Sequence, residues 1–274
     1  MTWRTLGPLA GAIAIVGVVV ALLAPSDGTA IDPVAQAADV TAAAGSAEFG
    51  LAGSLTAAGQ SVPISGSGSV DMRGARMRMS MSFPMPGYGS VQMDELFDGN
   101  AFYLKFPAAL AQRIPGGKSW MKIDLQTLGK SAGVDLAQLT RANQNNPADM
   151  LNALKGAGRS HLIGPENIRG TATSHYRAEI DVKKAADRIP DSASAAALKR
   201  LVDESGLSAF PIDVWIDRVG RVRREQFQYS ANGVGMDMTI EFTRFGVPVD
   251  TTPPPPEQVM DAATLLGAAG TTSG

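Results

Sequence analysis

The sequence predicts an α+β fold built on one antiparallel sheet, and three observations carry that prediction. Apolar and polar residues alternate with period 2 through ten or eleven segments between Phe49 and Phe242, the pattern of strands with one buried face. One pair of these segments, Pro211 to Tyr229, reads as a long hairpin: Val214 and Ile216 alternate with Asp213, Trp215 and Asp217, and Val222 to Tyr229 resume the pattern with Phe227 and Tyr229 on one face. A hairpin of this length does not stand alone in water and implies a larger sheet with one face covered. At two places, near Asn146 and from about Val182 to Ser205, the period changes to that of a helix, and these insertions are the expected cover.

The totals narrow the function. The chain has 274 residues, enough for one large β-rich domain or two small ones, with 24 Lys and Arg against 26 Asp and Glu. A net charge of −2 without a basic block argues against a nucleic-acid partner. The absence of cysteine removes disulfides, thiolate chemistry and Cys-ligated metals. Thirty Gly and only 6% aromatic residues describe a sheet of small side chains, which leaves space for a cavity.

Taken in order, Arg4 is followed by an uncharged apolar run over residues 6–24, slightly long for a signal-peptide core and just long enough to span a bilayer. Gly28-Thr29-Ala30 and Ala35-Gln36-Ala37 each offer small residues for cleavage, so a cleaved signal and a retained anchor both stand. Arg4 on the inner side, with Asp27 and Asp32 beyond the run, places everything after it outside the cytoplasmic membrane. Asp32-Pro33 opens a helix that Ala35 to Ala44 continue and Gly45 ends. Strands follow on either side of a turn at Ala58-Gly59-Gln60, and in the next one Met77, Met79 and Met81 alternate with Arg76, Arg78, Ser80 and Ser82.

Pro84, Pro86, Gly87 and Gly89 predict a loop, Val91 to Phe97 and Ala101 to Phe106 a hairpin across Asp98-Gly99-Asn100, and Trp120 to Leu125 a further strand. Asn146-Pro147-Ala148-Asp149 starts a helix with the apolar stripe Met150, Leu151 and Leu154. His161 to Gly164 and Gly170 to Asp181 return to strand, with Tyr176, Ala178 and Ile180 on one side. The second helical insertion comes next, then the long hairpin, where Asp217 can bond forward and Gly220 supplies the positive φ of a loop closing on a bulge. A last strand puts Met236, Met238, Ile240 and Phe242 on one face, and Pro253 to Pro256 is the expected end of the domain. The organisation expected is 1–30 as signal peptide or N-terminal membrane anchor, 31–250 as one domain, and 251–274 as a Pro/Ala/Gly-rich tail.

Facing arithmetic gives a candidate site. Met77, Met79 and Met81 share one face of their strand, as do Met236, Met238 and Ile240, and a curved sheet turns both stripes inward beneath Met150, Leu151 and Leu154. With Leu51, Leu55, Ile64, Val70, Met121 and Tyr176 they form the expected lining of an apolar cavity; ordinary core is the competing reading. No catalytic residue and no metal ligand is expected. His161 and His175 lie 14 positions apart on strands with no acidic cluster of metal spacing nearby, and no Gly-x-Ser-x-Gly elbow is present. Gly66-Ser67-Gly68-Ser69 reads as strand rather than phosphate loop, and Trp215 as a core anchor. Arg221, Arg223 and Arg224 read either as contacts for lipid phosphate or an anionic membrane, or as the solvated charges of an edge strand.

Two segments carry a family likeness. Ile163-Gly164-Pro165-Glu166-Asn167-Ile168-Arg169-Gly170, followed by Thr173 and His175-Tyr176, and the hairpin's Pro211, Asp213-Val214-Trp215-Ile216-Asp217 and Gly220-Arg221 resemble the two motifs of the LppX and LprG type of actinobacterial envelope lipoprotein. More distantly, the chain is similar to the LolA and LolB lipoprotein carriers. The resemblance implies a curved, half-closed antiparallel sheet of about eleven strands, with helices on its concave side and an apolar cavity holding acyl chains over residues 31–250. It implies a lipid or acylated ligand, no cofactor, and a carrier or chaperone role in the cell envelope. The alternative is an envelope sensor or protein-interaction module of the same fold, with an envelope protein as partner. The lipoprotein members carry an acylated cysteine that this chain lacks, so lasting membrane attachment would fall to residues 6–24 if they are not cleaved.

Overall fold

The computed structural model describes residues 33–107 apart from 58, 75 and 86, then 117–124, 160–181, 196, 199, 209–231 and 234–262. One helix, α1 (Pro33–Ala43), precedes a sheet whose strands are β1 (Ser46–Ala57), β2 (Gln60–Asp71), β3 (Arg76–Met85), β4 (Gly89–Phe97), β5 (Ala101–Lys105) and β6 (Trp120–Asp124). The second half adds β7 (Ser160–Ile168), β8 (Thr171–Asp181), β9 (Ala209–Asp217), β10 (Val222–Ala231), β11 (Val234–Phe245) and β12 (Val259–Asp261). All twelve belong to one curved sheet in the order β12-β6-β5-β4-β3-β2-β1-β11-β10-β9-β8-β7. Every neighbour pair is antiparallel except β12 with β6. The chain thus runs outward from β1 to β6, reappears at the far edge with β7, and returns strand by strand until β11 closes against β1.

Local chemistry explains the turns. Asp217 Oδ1 accepts from the backbone N–H groups of Val219 (3.0 Å) and Arg221 (2.9 Å), Gly220 sits at φ 86°, and a bulge follows between Val222 and Arg224. The β4–β5 turn uses the same device: Asp98 Oδ1 accepts from the N–H groups of Asn100 (2.8 Å) and Ala101 (2.9 Å) around Gly99. Helix α1 ends where Gly45 adopts φ 83°, with its N–H on the Ala42 carbonyl at 2.9 Å. The helix is fixed to the β9–β10 hairpin by Thr41, whose hydroxyl donates to the Ala37 carbonyl and accepts the Val222 N–H at 2.8 Å.

Alternation sorts the side chains. The odd residues of β3, Met77 to Met85, are buried while Arg76, Arg78 and Pro84 are exposed. Across the middle of the sheet the same apolar face carries glycine wherever a neighbouring backbone comes close. A Cβ on Gly53 would lie 2.0 Å from the Asp237 carbonyl oxygen and 2.9 Å from Met238 Cα; one on Gly68 would lie 2.3 Å from the Arg78 carbonyl oxygen and 2.6 Å from Met79 Cβ. Neighbouring strands therefore lean in on the apolar side, which makes that side the concave one.

Several expectations change. Among the described residues the strand count is twelve rather than ten or eleven, because the last proline of the run opens a 3-10 turn at Pro256–Gln258 and β12 follows, so that run does not end the sheet. Pro84 is not in a loop: it lies in β3 opposite Ser90. β10 is not an edge strand, since β11 and β9 flank it. The helix expected from Asn146, most of the one expected over Val182 to Ser205, and the apolar run of residues 6–24 lie outside the described residues.

Two glycines three positions apart on opposite faces test the curvature. Gly53→Ala is expected to destabilise the fold by about 1 to 3 kcal/mol. Gly50→Ala, whose Cβ would have its nearest neighbour at 4.0 Å, should stay within about 0.5 kcal/mol in urea unfolding. Equal costs at the two sites would show that the strands do not close in on the Gly53 side.

Candidate functional site

The concave face is one apolar cluster that reaches from β6 to β8. Leu51, Ile64, Val70, Met77, Met79, Met81, Met236, Met238 and Ile240 are all buried within it, and Leu55, Met121 and Tyr176 pack against it half-buried. The sequence-derived candidates that fall within the described residues are therefore brought onto one surface; Met150, Leu151 and Leu154 lie outside those residues. Eight of the chain's 12 methionines, Met72 and Met93 among them, belong to this cluster. Each fully buried side chain of this size stabilises by roughly 2 kcal/mol, and the unbranched thioethers leave a surface that re-packs around different shapes at small cost.

Two buried acids stand on this face among the described residues. Glu95 follows Val91 and Met93 in the buried phase of β4, opposite Met79 on β3 and Leu104 on β5, and has no exposed surface. Glu225 precedes Phe227 in the buried phase of β10, between Val214 on β9 and Ile240 on β11. Both Glu95 oxygens and Glu225 Oε2 lack a hydrogen-bond partner. Burial pushes each carboxyl up to about 8, so both are protonated at neutral pH. Sequence reading passed over them although the signal was present: an acid in the apolar phase of an alternating strand.

The opposite face is polar and ion-paired. His175 is buried between two carboxylates, its Nδ1 3.0 Å from Glu166 Oε1 and its Nε2 2.7 Å from Asp213 Oδ1, while its ring stacks on Trp215 at 4.2 Å. Trp215 Nε1 donates to Glu166 Oε2 at 2.8 Å, and Arg177 grips Asp213 through Nε (3.0 Å) and a terminal nitrogen (2.9 Å). Burial alone would push the Asp213 carboxyl up, but hydrogen bonds and charge from Arg177 and His175 outweigh it and hold the group below its ordinary range. Trp215 is thus buried as expected, but on the face away from the methionines, and acidic neighbours do reach His175. Both ring nitrogens of His175 are thus engaged by carboxylates of the protein itself.

Arg221, Arg223 and Arg224, after the β9–β10 turn, make their contacts within the protein rather than being held out for lipid phosphate. Arg223 Nε donates to Asp217 Oδ2 at 2.7 Å, Arg224 Nε to Glu241 Oε1 at 2.9 Å, and Arg221 lies over the Phe245 ring. Arg169, at φ 49° in the β7–β8 turn, also pairs with Glu241. An open groove of about 620 Å³ lies on this polar side, lined by Ser67, Ser69, Ser80 and the charges of Glu48, Arg78, Asp94, Arg169 and Glu241. It is not the apolar cavity that alternation predicts: Phe49 and Met79 border it, but most of its lining belongs to the polar face. Among the described residues no group of three or more His, Asp or Glu could hold a metal ion.

No family model matches the chain. It is 26% identical over 176 residues to an uncharacterized 31.2 kDa protein of Streptomyces griseus from the rplA-rplJ intergenic region, covering 63% of this chain and 57% of that protein. It is 24% identical over 181 residues to a putative lipoprotein of Streptomyces coelicolor, covering 65% of this chain and 54% of that one. The chain thus spans little more than half the length of these curated relatives. Among solved structures, lipoprotein LppX of Mycobacterium tuberculosis aligns with a TM-score of 0.45 at 15% identity, over 80% of this chain and 96% of that one. The description of the Streptomyces coelicolor relative as a putative lipoprotein accords with the lipoprotein resemblance read from residues 163–176 and 211–221.

The two buried acids set a pH dependence whose sign is fixed. Below about pH 4.5 they are protonated in folded and unfolded chains alike; above it the unfolded chain releases protons that the fold retains up to about 8, so stability falls across that window. Asp213, Asp217 and Glu241, held low, act oppositely: their stabilisation is present at neutral pH and lost in acid. Glu95→Gln is therefore expected to melt with the parent at pH 5 and above it at pH 8, by a margin on the order of a few kcal/mol. Parallel loss of stability in parent and variant between those pH values would show that Glu95 does not carry the effect.

Proposed function

We propose that this protein binds lipid or another long apolar molecule outside the cytoplasmic membrane and serves as a carrier or chaperone in the cell envelope, without catalysing a reaction. The observation that supports this reading is the continuous methionine-rich cluster of the concave face, with Leu51, Met79, Met81, Met236, Met238 and Ile240 at its centre. A carrier must accept chains of differing length and branching, and soft unbranched side chains suit that task better than a rigid β-branched core. Each methylene of ligand withdrawn from water onto such a face contributes roughly 0.8 kcal/mol, so a chain of ordinary length is held without a charged contact. The ion-paired polar face fits a different task, that of keeping the far side of the sheet soluble and fixed in register.

Residues 1–30 are proposed as the signal peptide or retained anchor that brings residues 31–250 to the outer side of the membrane, because a carrier has to meet the bilayer that supplies its cargo.

Native mass spectrometry of the purified full chain, followed by solvent extraction, tests the reading. The expected result is a population carrying the mass of one or two acyl lipids, recovered in the extract. A chain that is folded, ligand-free and unable to take up lipid from mixed vesicles would favour a protein-interaction module of the same fold instead.

A further inference from the structure

The buried carboxylate oxygens that lack a hydrogen-bond partner, among the described residues, belong to Glu95 and Glu225, and both stand on the apolar face. Nothing in the strands asks for an acid there. The same-face neighbours of Glu95 on β4 are Val91, Met93 and Phe97, and Glu225 sits between Val214 and Ile240, so leucine or methionine would pack at either place without leaving an unmade hydrogen bond. The two do not act as a pair: β4 and β10 are five strand-to-strand steps apart, roughly 24 Å along the sheet, and burial alone, not the other's charge, shifts each carboxyl.

Building on the carrier reading, we propose that Glu95 and Glu225 are hydrogen-bonding stations for uncharged oxygen groups, carbonyl or hydroxyl, borne within the body of a long apolar ligand. Selection then goes beyond hydrophobicity: the site takes oxygenated chains in preference to plain hydrocarbon. A protonated carboxyl suits this role because it donates to a ketone or ester carbonyl and also accepts from a hydroxyl, and burial keeps both acids in that form at neutral pH. A bonded oxygen on the ligand supplies the hydrogen bond that these carboxyl oxygens lack within the protein, whereas a plain chain leaves it unmade.

The test is a competition between heptadecane and 9-heptadecanone, which differ by one mid-chain carbonyl, offered together from detergent micelles to the full chain and quantified by gas chromatography after extraction. The ketone-to-alkane ratio is expected to be about tenfold higher in the parent than in Glu95→Leu/Glu225→Leu, and within about twofold of the parent in Glu95→Gln/Glu225→Gln, which keeps a donor and an acceptor at each station. The same ratio in the parent and the double-leucine variant would overturn the proposal and leave the carrier reading standing. Failure of the parent to load either compound would overturn both. If the leucine variant does not fold, the carbonyl stretch of 9-heptadecanone bound to the parent decides: a shift to lower frequency than in hydrocarbon solution is expected, and an unshifted band overturns the proposal.

Discussion

At the middle of the sheet, where β1 meets β11, Gly53 faces Met238 with no room for a Cβ between them, and the same close approach recurs where β2 meets β3 at Gly68 and Met79. The remaining architecture depends on this constraint. A sheet of twelve strands with one predominantly apolar face cannot stay flat and open in water, and closing the strands toward that face is the response available to a chain with no disulfide. Glycine on the concave side permits the bend, and methionine beside it fills what the bend leaves.

The polar face holds the register that the curvature needs. A slip of one residue in β8 or β9 would carry His175 and Trp215 to the methionine side and break their bonds to Glu166 and Asp213 together. The motif residues that resemble the envelope lipoproteins are these same residues, so their work in this chain is architectural: they secure the far edge of the sheet. The two faces therefore divide the labour. Asp213, Asp217 and Glu241 on one side are paired within the protein, whereas the two acids on the other, Glu95 and Glu225, leave oxygens without a partner.

Much of this was legible in the sequence wherever the cause was local. The β9–β10 turn follows from Asp217 and Gly220 acting within five residues, and the membership of Met77, Met79, Met81, Met236 and Met238 in one face follows from parity alone. What escaped was set by pairing at a distance. Glu166 and Asp213 meet His175 from 9 and 38 positions away, so no spacing rule announces them. The cluster of Arg221, Arg223 and Arg224 left an edge strand open as one reading of β10, and the strand that flanks it, β11, is set by pairing later in the chain. The three residues of β12 are too few to show a period. Glu95 and Glu225 were readable by parity and were passed over because a charge in a strand is ordinarily assigned to the solvent side.

The central claim is that the concave methionine face holds an apolar ligand, and proximity measured at the methionines tests it most directly. With the methionine methyl groups labelled with carbon-13 and a protonated acyl lipid added to the otherwise deuterated full chain, the account predicts intermolecular nuclear Overhauser effects from chain methylenes to Met79, Met81, Met236 and Met238. Lipid that binds with no such effects, or that perturbs only residues of the polar groove such as Ser67, Ser80 and Arg169, would contradict it.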